Sequence, residues 1–153
     1  MKEKLKNLFY IFFPLIVGGI VGFLTKDYID YSSLDKPPLS PHKIIFPVMW
    51  SIIYLLMGIS YYLYKRDYNV NNKVVRNSYY SQLFVNLLWT IIFFVLKLRF
   101  IAIIWILLLL IFVVNLFSVF KKFNKISAYL NIPYILWVIF ATYLTIGIYI
   151  LNR

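Results

Sequence analysis

Five long apolar runs alternate with short polar stretches along the chain: Leu8–Leu24, Ile44–Tyr64, Tyr79–Leu96, Phe100–Phe120 and Ile126–Leu151, none containing Asp, Glu, Lys or Arg. Each is near the roughly 17–25 residues that a helix needs to cross a hydrocarbon core of about 30 Å. Helices of a water-soluble bundle carry a polar face at helical period, and these runs have none. Transmembrane strands would be about 9–11 residues long and would alternate apolar with polar. Runs such as "IAIIWILLLLIFVV", residues 101–114, are longer and do not alternate. The pattern predicts an all-α integral membrane protein, a five-transmembrane-helix bundle with helices at about 5–25, 44–64, 79–97, 100–120 and 126–151. The first run has a basic start, as a secretory leader would, but lacks an A-x-A-like cleavage site and exceeds the usual apolar stretch of about 7–15 residues. It reads as a retained helix.

Composition agrees, with 63% hydrophobic and 14% charged residues against about 45–50% and 25% in soluble domains. There is no internal repeat and no composition break, so residues 1–153 read as a single membrane domain. The absence of cysteine excludes disulfides, thiolate metal sites and c-type haem attachment. The net charge of +11 follows the loops rather than forming a nucleic-acid face. Lys2, Lys4, Lys6, Lys65, Arg66, Lys73, Arg76, Lys121, Lys122 and Lys125 share one side of a five-span chain. Lys26, Lys36, Lys43, Lys97, Arg99 and Arg153 share the other, together with Asp27, Asp30 and Asp35. The positive-inside rule then puts the N-terminus in the cytoplasm and the C-terminus outside. Tyr61, Tyr62, Tyr64, Tyr79 and Tyr80 fall at the predicted boundaries, where amphipathic rings prefer the membrane interface.

The connection at residues 26–43 is the longest and the only proline-rich one. Pro37, Pro38 and Pro41 each fix φ and restrict the residue before them, while Tyr28, Tyr31, Leu34 and Leu39 give it something to pack with. It reads as a semi-rigid cap over one end of the bundle. Within the spans, Gln82, Asn86, Trp89, Thr90 and Phe93 share one face of the third helix. Trp50, Tyr54, Met57 and Tyr61 form a stripe on the second, and Tyr134, Trp137, Ala141 and Leu144 one on the fifth. Uncharged amides in a bilayer need partners and so point inward. Two readings of these stripes stand: packed core, or a pocket for a flat apolar ligand, with ring faces for stacking and Asn86 for one oriented contact.

Other chemistries lack their parts. No ionisable carboxylate or base lies within a span, so neither a proton relay nor an activated nucleophile is visible. The only histidine, His42, is in the loop, which excludes bis-His haem ligation within one chain. No catalytic residue, metal site or cofactor is expected. Gly18 and Gly22 form a G-x-x-x-G pattern of the helix-contact kind.

Four stretches together resemble the TspO/MBR family of translocator and tryptophan-rich sensory proteins. "YSSLDKPPLSP" from Tyr31 is similar to the family's loop pattern, and "FPVMWSIIYLLMGIS" from Phe46 to its second-helix signature. "QLFVNLLWTIIFF" from Gln82 is similar to Q-L-x-x-N-x-x-W-x-x-x-F-F, and "PYILWVIFATYLT" from Pro133 to P-Y-x-x-W-x-x-F-A-T-x-L-N. The resemblance implies a five-helix bundle, often a homodimer, with a ligand pocket under the first loop. It implies porphyrin-type tetrapyrroles as ligands, with sterols and benzodiazepine-type compounds as further classes, and a bacterial cell membrane as the location. With the residue faces above, it marks Tyr31, Pro41, Trp50, Tyr54, Asn86, Trp89, Trp137, Ala141 and Leu144 as ligand-binding. The family's sterol motif, L/V-x-Y-x-K/R with variable gaps, maps onto Leu144, Tyr149 and Arg153, and such motifs are weak patterns. Asp30, Leu39 and Ile44 stand where aromatics are common, His42 where a second proline is common, and Ile146–Gly147 where an Asn-Trp-like pair is common.

The expected function is that of a membrane receptor or transport-associated protein. Its partners would be a porphyrin-like ligand, the lipid bilayer and a second copy of the chain, with no nucleic acid. Light- and oxygen-dependent degradation of bound protoporphyrin is the alternative, and a ligand-free structural subunit a third. A reporter fused after Arg153 should be active only on the outer side of the membrane. Activity confined to the cytoplasm would reverse the orientation of the whole bundle.

Overall fold

The computed structural model describes residues 2–68 and 72–153. Its helices are α1 (Lys2–Thr25), α2 (Ile45–Asp67), α3 (Lys73–Thr90), α4 (Arg99–Phe123), α5 (Lys125–Tyr129) and α6 (Ile132–Leu151). A π-helical turn, Ile91–Val95, prolongs α3, and α5 with α6 makes up the fifth span. Among the described residues there is no strand, and five helical segments are long and apolar enough to cross a membrane. Phe84, Ile111, Leu136 and Leu151 are among many large apolar side chains on the outer surface. An aqueous protein would not tolerate such a surface, whereas lipid solvates it.

The helices outrun the apolar segments that predicted them. The polar stretch Lys65–Asn77 was expected as loop, yet α2 continues to Asp67 and α3 begins at Lys73. Asn72 caps α3, its Oδ1 accepting from the Val74 amide at 2.9 Å and the Val75 amide at 3.5 Å. Hydropathy marks the depth of the hydrocarbon, whereas a capped helix can extend beyond it by whole polar turns. Helix α1 likewise starts at Lys2, somewhat before the expected residue 5. The fifth span is interrupted at Leu130–Asn131, just before Pro133, which has no amide hydrogen to continue the ladder.

Packing runs α1 on α2, α2 on α5, α3 on α4 and α4 on α6. Between α2 and α3 the space is filled by long side chains. Tyr61 stacks on Tyr79 with ring centroids 4.1 Å apart, and Gln82 Nε2 donates to Met57 Sδ at 3.1 Å. Tyr61, Tyr64 and Tyr79, expected at the membrane interface, are buried among one another at the end of the bundle opposite the long loop. Tyr64 continues the cluster to Phe120 and Phe123. Nearby, Ser60 and Ser127 exchange hydroxyl-to-carbonyl bonds of 2.7 and 2.8 Å, and Asn131 Nδ2 donates to the Ser60 hydroxyl at 2.8 Å, closing α2 onto the fifth span. Thr142 and Thr145 satisfy their hydroxyls on the carbonyls one turn back, which is how polar side chains are carried inside an apolar helix.

Glycines set how α1 sits. A Cβ on Gly58 would lie 1.9 Å from the Ile11 carbonyl oxygen, so the α1 and α2 backbones touch there. Gly18 lies against the Tyr54 ring, while Gly19 and Gly22 have nothing within 4 Å of a would-be Cβ. Of the G-x-x-x-G pair, then, one member makes a helix contact and the other faces open space. Gly58→Ala should push α1 off α2 and cost about 1–3 kcal/mol, the scale of overpacking. Gly19→Ala should be neutral or slightly stabilising through helix propensity. Thermal unfolding in detergent measures both, and equal effects would mean that the Gly58 contact does not set the α1–α2 distance.

Candidate functional site

The open space beside Gly19 and Gly22 is the side of a cavity of about 670 Å³ between α1, α2, the end of α3 and the first half of the long loop. Trp50, Tyr54 and Trp89 supply its aromatic walls, Gly18, Gly19 and Gly22 its smooth side, and Ile29, Tyr31 and Ser32 its roof. Trp50 and Tyr54 are stacked with centroids 5.7 Å apart, one helical turn from each other on α2. Trp89 is buried with its indole N–H unpartnered. A volume of this order is typical of small-molecule sites, about 300–1,000 Å³ with few polar groups.

The floor is a chain of hydrogen bonds across three helices. The Tyr54 hydroxyl donates to Asn86 Oδ1 at 2.6 Å, Asn86 Nδ2 donates to the Tyr134 hydroxyl at 2.7 Å, and that hydroxyl donates to Gln82 Oε1 at 2.8 Å. Asn86, Gln82 and Tyr134 are each at most 2% exposed. Asn86 is thus committed to helix–helix contacts beneath the cavity, and Tyr54 joins that network to the cavity wall.

The roof is fastened at several points. Asp30 receives both carboxylate contacts from Arg99 at the start of α4, at 2.7 and 2.9 Å, with Lys97 at 3.5 Å. Arg99 also donates to the Phe93 carbonyl in the π turn and lies 4.2 Å from the Phe93 ring centroid. The Tyr31 hydroxyl donates to the Pro41 carbonyl at 2.9 Å. Burial raises the Tyr31 phenol above its ordinary pKa against a lowering contact from Ser40, so it stays a donor. The proline half of the loop rests on α6: Tyr143 donates to the Pro38 carbonyl at 2.7 Å, and Asn152 pairs with the Asp35 backbone at 2.8 and 3.0 Å. Pro37 occupies the space that a side chain on Gly147 would need. The prolines therefore anchor the loop, and Ile29–Ser32 does the covering.

Of the residues singled out from the sequence, Tyr31, Trp50, Tyr54 and Trp89 are brought together around the cavity. Ala141 and Leu144 line a separate void of about 20 Å³ that shares Tyr31 and Trp89 with it. Trp137 stands behind the wall, edge-on to Trp50 at 6.4 Å and to Phe46 at 5.9 Å. Pro41 meets the site through Tyr31, and Asn86 lies below it. Leu144 is buried, Tyr149 packs against Phe100 at 5.8 Å and Arg153 is exposed at the chain end, so these three do not form one surface. Sequence reasoning missed the α1 glycines as a cavity side, Arg99 as the partner of Asp30, and Lys26 and Lys43 at the rim. The signal for the first was present, since three glycines in five residues leave one helix face without side chains.

A five-span helical bundle with an aromatic cavity beneath a tethered loop defines a membrane protein built around an internal site. The TspO/MBR family profile matches residues 10–151, and the chain belongs to that family. It is 31% identical over 150 residues to the tryptophan-rich protein TspO of Archaeoglobus fulgidus, with 97% of each chain covered. Identity to the Bacillus cereus protein of the same name is 28% over 152 residues, with 99% of each chain covered. The sheep translocator protein is 30% identical over 132 residues, covering 80% of this chain and 78% of its own.

Asn86→Ala would leave the buried Tyr54 and Tyr134 hydroxyls each short of a partner. With interhelical bonds in membranes averaging about 0.6 and reaching about 1.7 kcal/mol, the loss should be about 1–2 kcal/mol of stability. A thermal shift of that size, seen without any ligand present, checks it. An unchanged melting temperature would mean that the network does not hold the helices.

Proposed function

We propose that this protein is a membrane receptor or carrier that holds a flat, largely apolar, porphyrin-like ligand in the cavity between α1, α2 and α3. The observation that carries this reading is the wall itself: the rings of Trp50, Tyr54 and Trp89 around about 670 Å³. Ring faces stack on a flat ligand, each good pair contributing about 0.5–1.5 kcal/mol beyond area burial. The tethered roof lowers the ordering cost that binding would otherwise carry. In the orientation that the basic residues favour, the cavity lies in the outer half of a bacterial cell membrane and the N-terminus in the cytoplasm. Family membership and the relatives' names, translocator and tryptophan-rich, support the same reading. Sterols and benzodiazepine-type compounds are the other apolar ligand classes that the family resemblance implies, and a homodimer is the assembly.

Titration with protoporphyrin in detergent is the test. Fluorescence from Trp50 and Trp89 should be quenched saturably. Trp105, whose indole donates to the Val85 carbonyl at 2.8 Å away from the cavity, serves as the reference. Trp50→Phe should weaken binding by about 1 kcal/mol with little loss of stability. Gly22→Leu should fill the cavity and abolish saturable quenching while the protein still folds, because nothing lies within 4 Å of its new Cβ. If Gly22→Leu binds as well as the parent, the ligand sits elsewhere. Bleaching under illumination beyond that of free pigment would mark degradation rather than carriage.

A further inference from the structure

The cavity is apolar along its walls, yet two cations stand at its rim, Lys26 just beyond α1 and Lys43 just before α2. Both are exposed, and among the described residues neither takes part in a salt bridge. Asp30, the carboxylate of the roof, is already engaged by Arg99 and Lys97. The Lys26 ammonium lies 4.3 Å from the centroid of Phe23, itself a cavity-lining ring, so its charge is held over the wall. Of the cavity's hydroxyls, those of Thr25 and Ser51 donate to the carbonyls of Val21 and Pro47 in their own helices. The charged side chains that line the cavity are therefore both donors, the Lys26 and Lys43 ammoniums at its rim.

We infer that Lys26 and Lys43 are specificity-determining residues that select ligands carrying acidic groups along one edge of an apolar body, against neutral compounds of the same shape. The physical basis is asymmetric. A carboxylate at the rim gains a charge-assisted contact from Lys26 or Lys43 while its apolar body is buried. A neutral ester buries the same body and gains neither contact. Two like charges at the rim also raise the local concentration of an anion before docking. This inference rests on the cavity being the ligand site, as proposed above.

The test compares protoporphyrin with its dimethyl ester, in neutral detergent, by tryptophan quenching. The parent protein, Lys26→Gln/Lys43→Gln and Lys26→Arg/Lys43→Arg are measured alike. The quantity read is the change in the diacid-to-diester affinity ratio between variant and parent, in which partitioning of each compound into micelles cancels. The Gln pair should lower that ratio about tenfold, the size of two partly exposed charge-assisted contacts, through the diacid alone. The Arg pair should keep it, and added salt should shrink the parent's ratio toward that of the Gln pair. Both lysines are exposed, so the melting temperature should not move. An unchanged ratio in the Gln pair, with both compounds still bound, overturns the role of the lysines and leaves the cavity standing. Failure of the diacid to quench saturably in the parent overturns the cavity reading, and this inference with it.

Discussion

Inside a bilayer, a hydroxyl or carboxamide has no water to turn to, and the chain Tyr54–Asn86–Tyr134–Gln82 is this protein's response to that constraint. The four groups bond one another, and in doing so they fix α2, α3 and α6 at one depth. Each link is modest by itself, because a partner can be found even in the unfolded membrane state. What the chain supplies is direction. Only one mutual placement of the three helices satisfies all four groups, and apolar packing against lipid-like neighbours would not discriminate so sharply. Tyr54 presents its ring to the cavity and its hydroxyl to the network, so the geometry of the wall is set by the geometry of the floor.

Helix α1 is held differently. Its contacts are the backbone approach at Gly58, the Gly18–Tyr54 packing and ring contacts of Tyr10 with Tyr61 and of Phe13 with Tyr80. Beyond Gly18 it presents Gly19 and Gly22 to its neighbours and nothing reaches across. A helix fixed along one half and bare along the next leaves a gap, and the gap is the cavity. The loop then closes the end of that gap. It leaves α1, covers the space with Ile29–Ser32 and hands its strain-bearing half to α6, where Leu39 adopts φ 66° in the turn between Pro37 and Ser40. A positive φ in a leucine is costly, and the contacts of Pro37, Pro38 and Asp35 with α6 hold the turn in place.

The fold was largely legible in the sequence, because charge-free apolar runs of membrane-spanning length admit one architecture. The helix ends were not legible in the same way. Asn72 caps α3 within a stretch that reads as loop on hydropathy alone, and a cap is a local hydrogen-bonding event that an apolar count cannot register. The site was legible as faces but not as distances. Helical spacing put Asn86 and Trp89 on one side of α3, yet which of them meets the cavity depends on where Tyr134 stands, some fifty residues further along the chain. Two positions that look arbitrary in sequence become intelligible as pairs. Asp30 is taken up by Arg99, and Gly147 lies under Pro37, which fills the space that a side chain there would need.

Those two pairs also separate two jobs that a single loop performs. The Gly147–Pro37 contact is a matter of shape and is indifferent to charge. The Asp30–Arg99 pair is electrostatic, largely shielded from water on the arginine side, where the side chain is 13% exposed. A pair of that kind is weak evidence for net stability, because desolvation offsets much of the attraction. Its geometric consequence is firmer. Arg99 binds Asp30 in the roof and the Phe93 carbonyl in the π turn at once, so roof, α3 and α4 meet at one guanidinium. The π turn leaves carbonyls out of the regular i to i−4 ladder, and the arginine satisfies one of them while seating the roof. The π turn at the end of α3 and the acid in the loop are therefore two halves of one arrangement. It closes the cavity with polar groups that do not have to face into it.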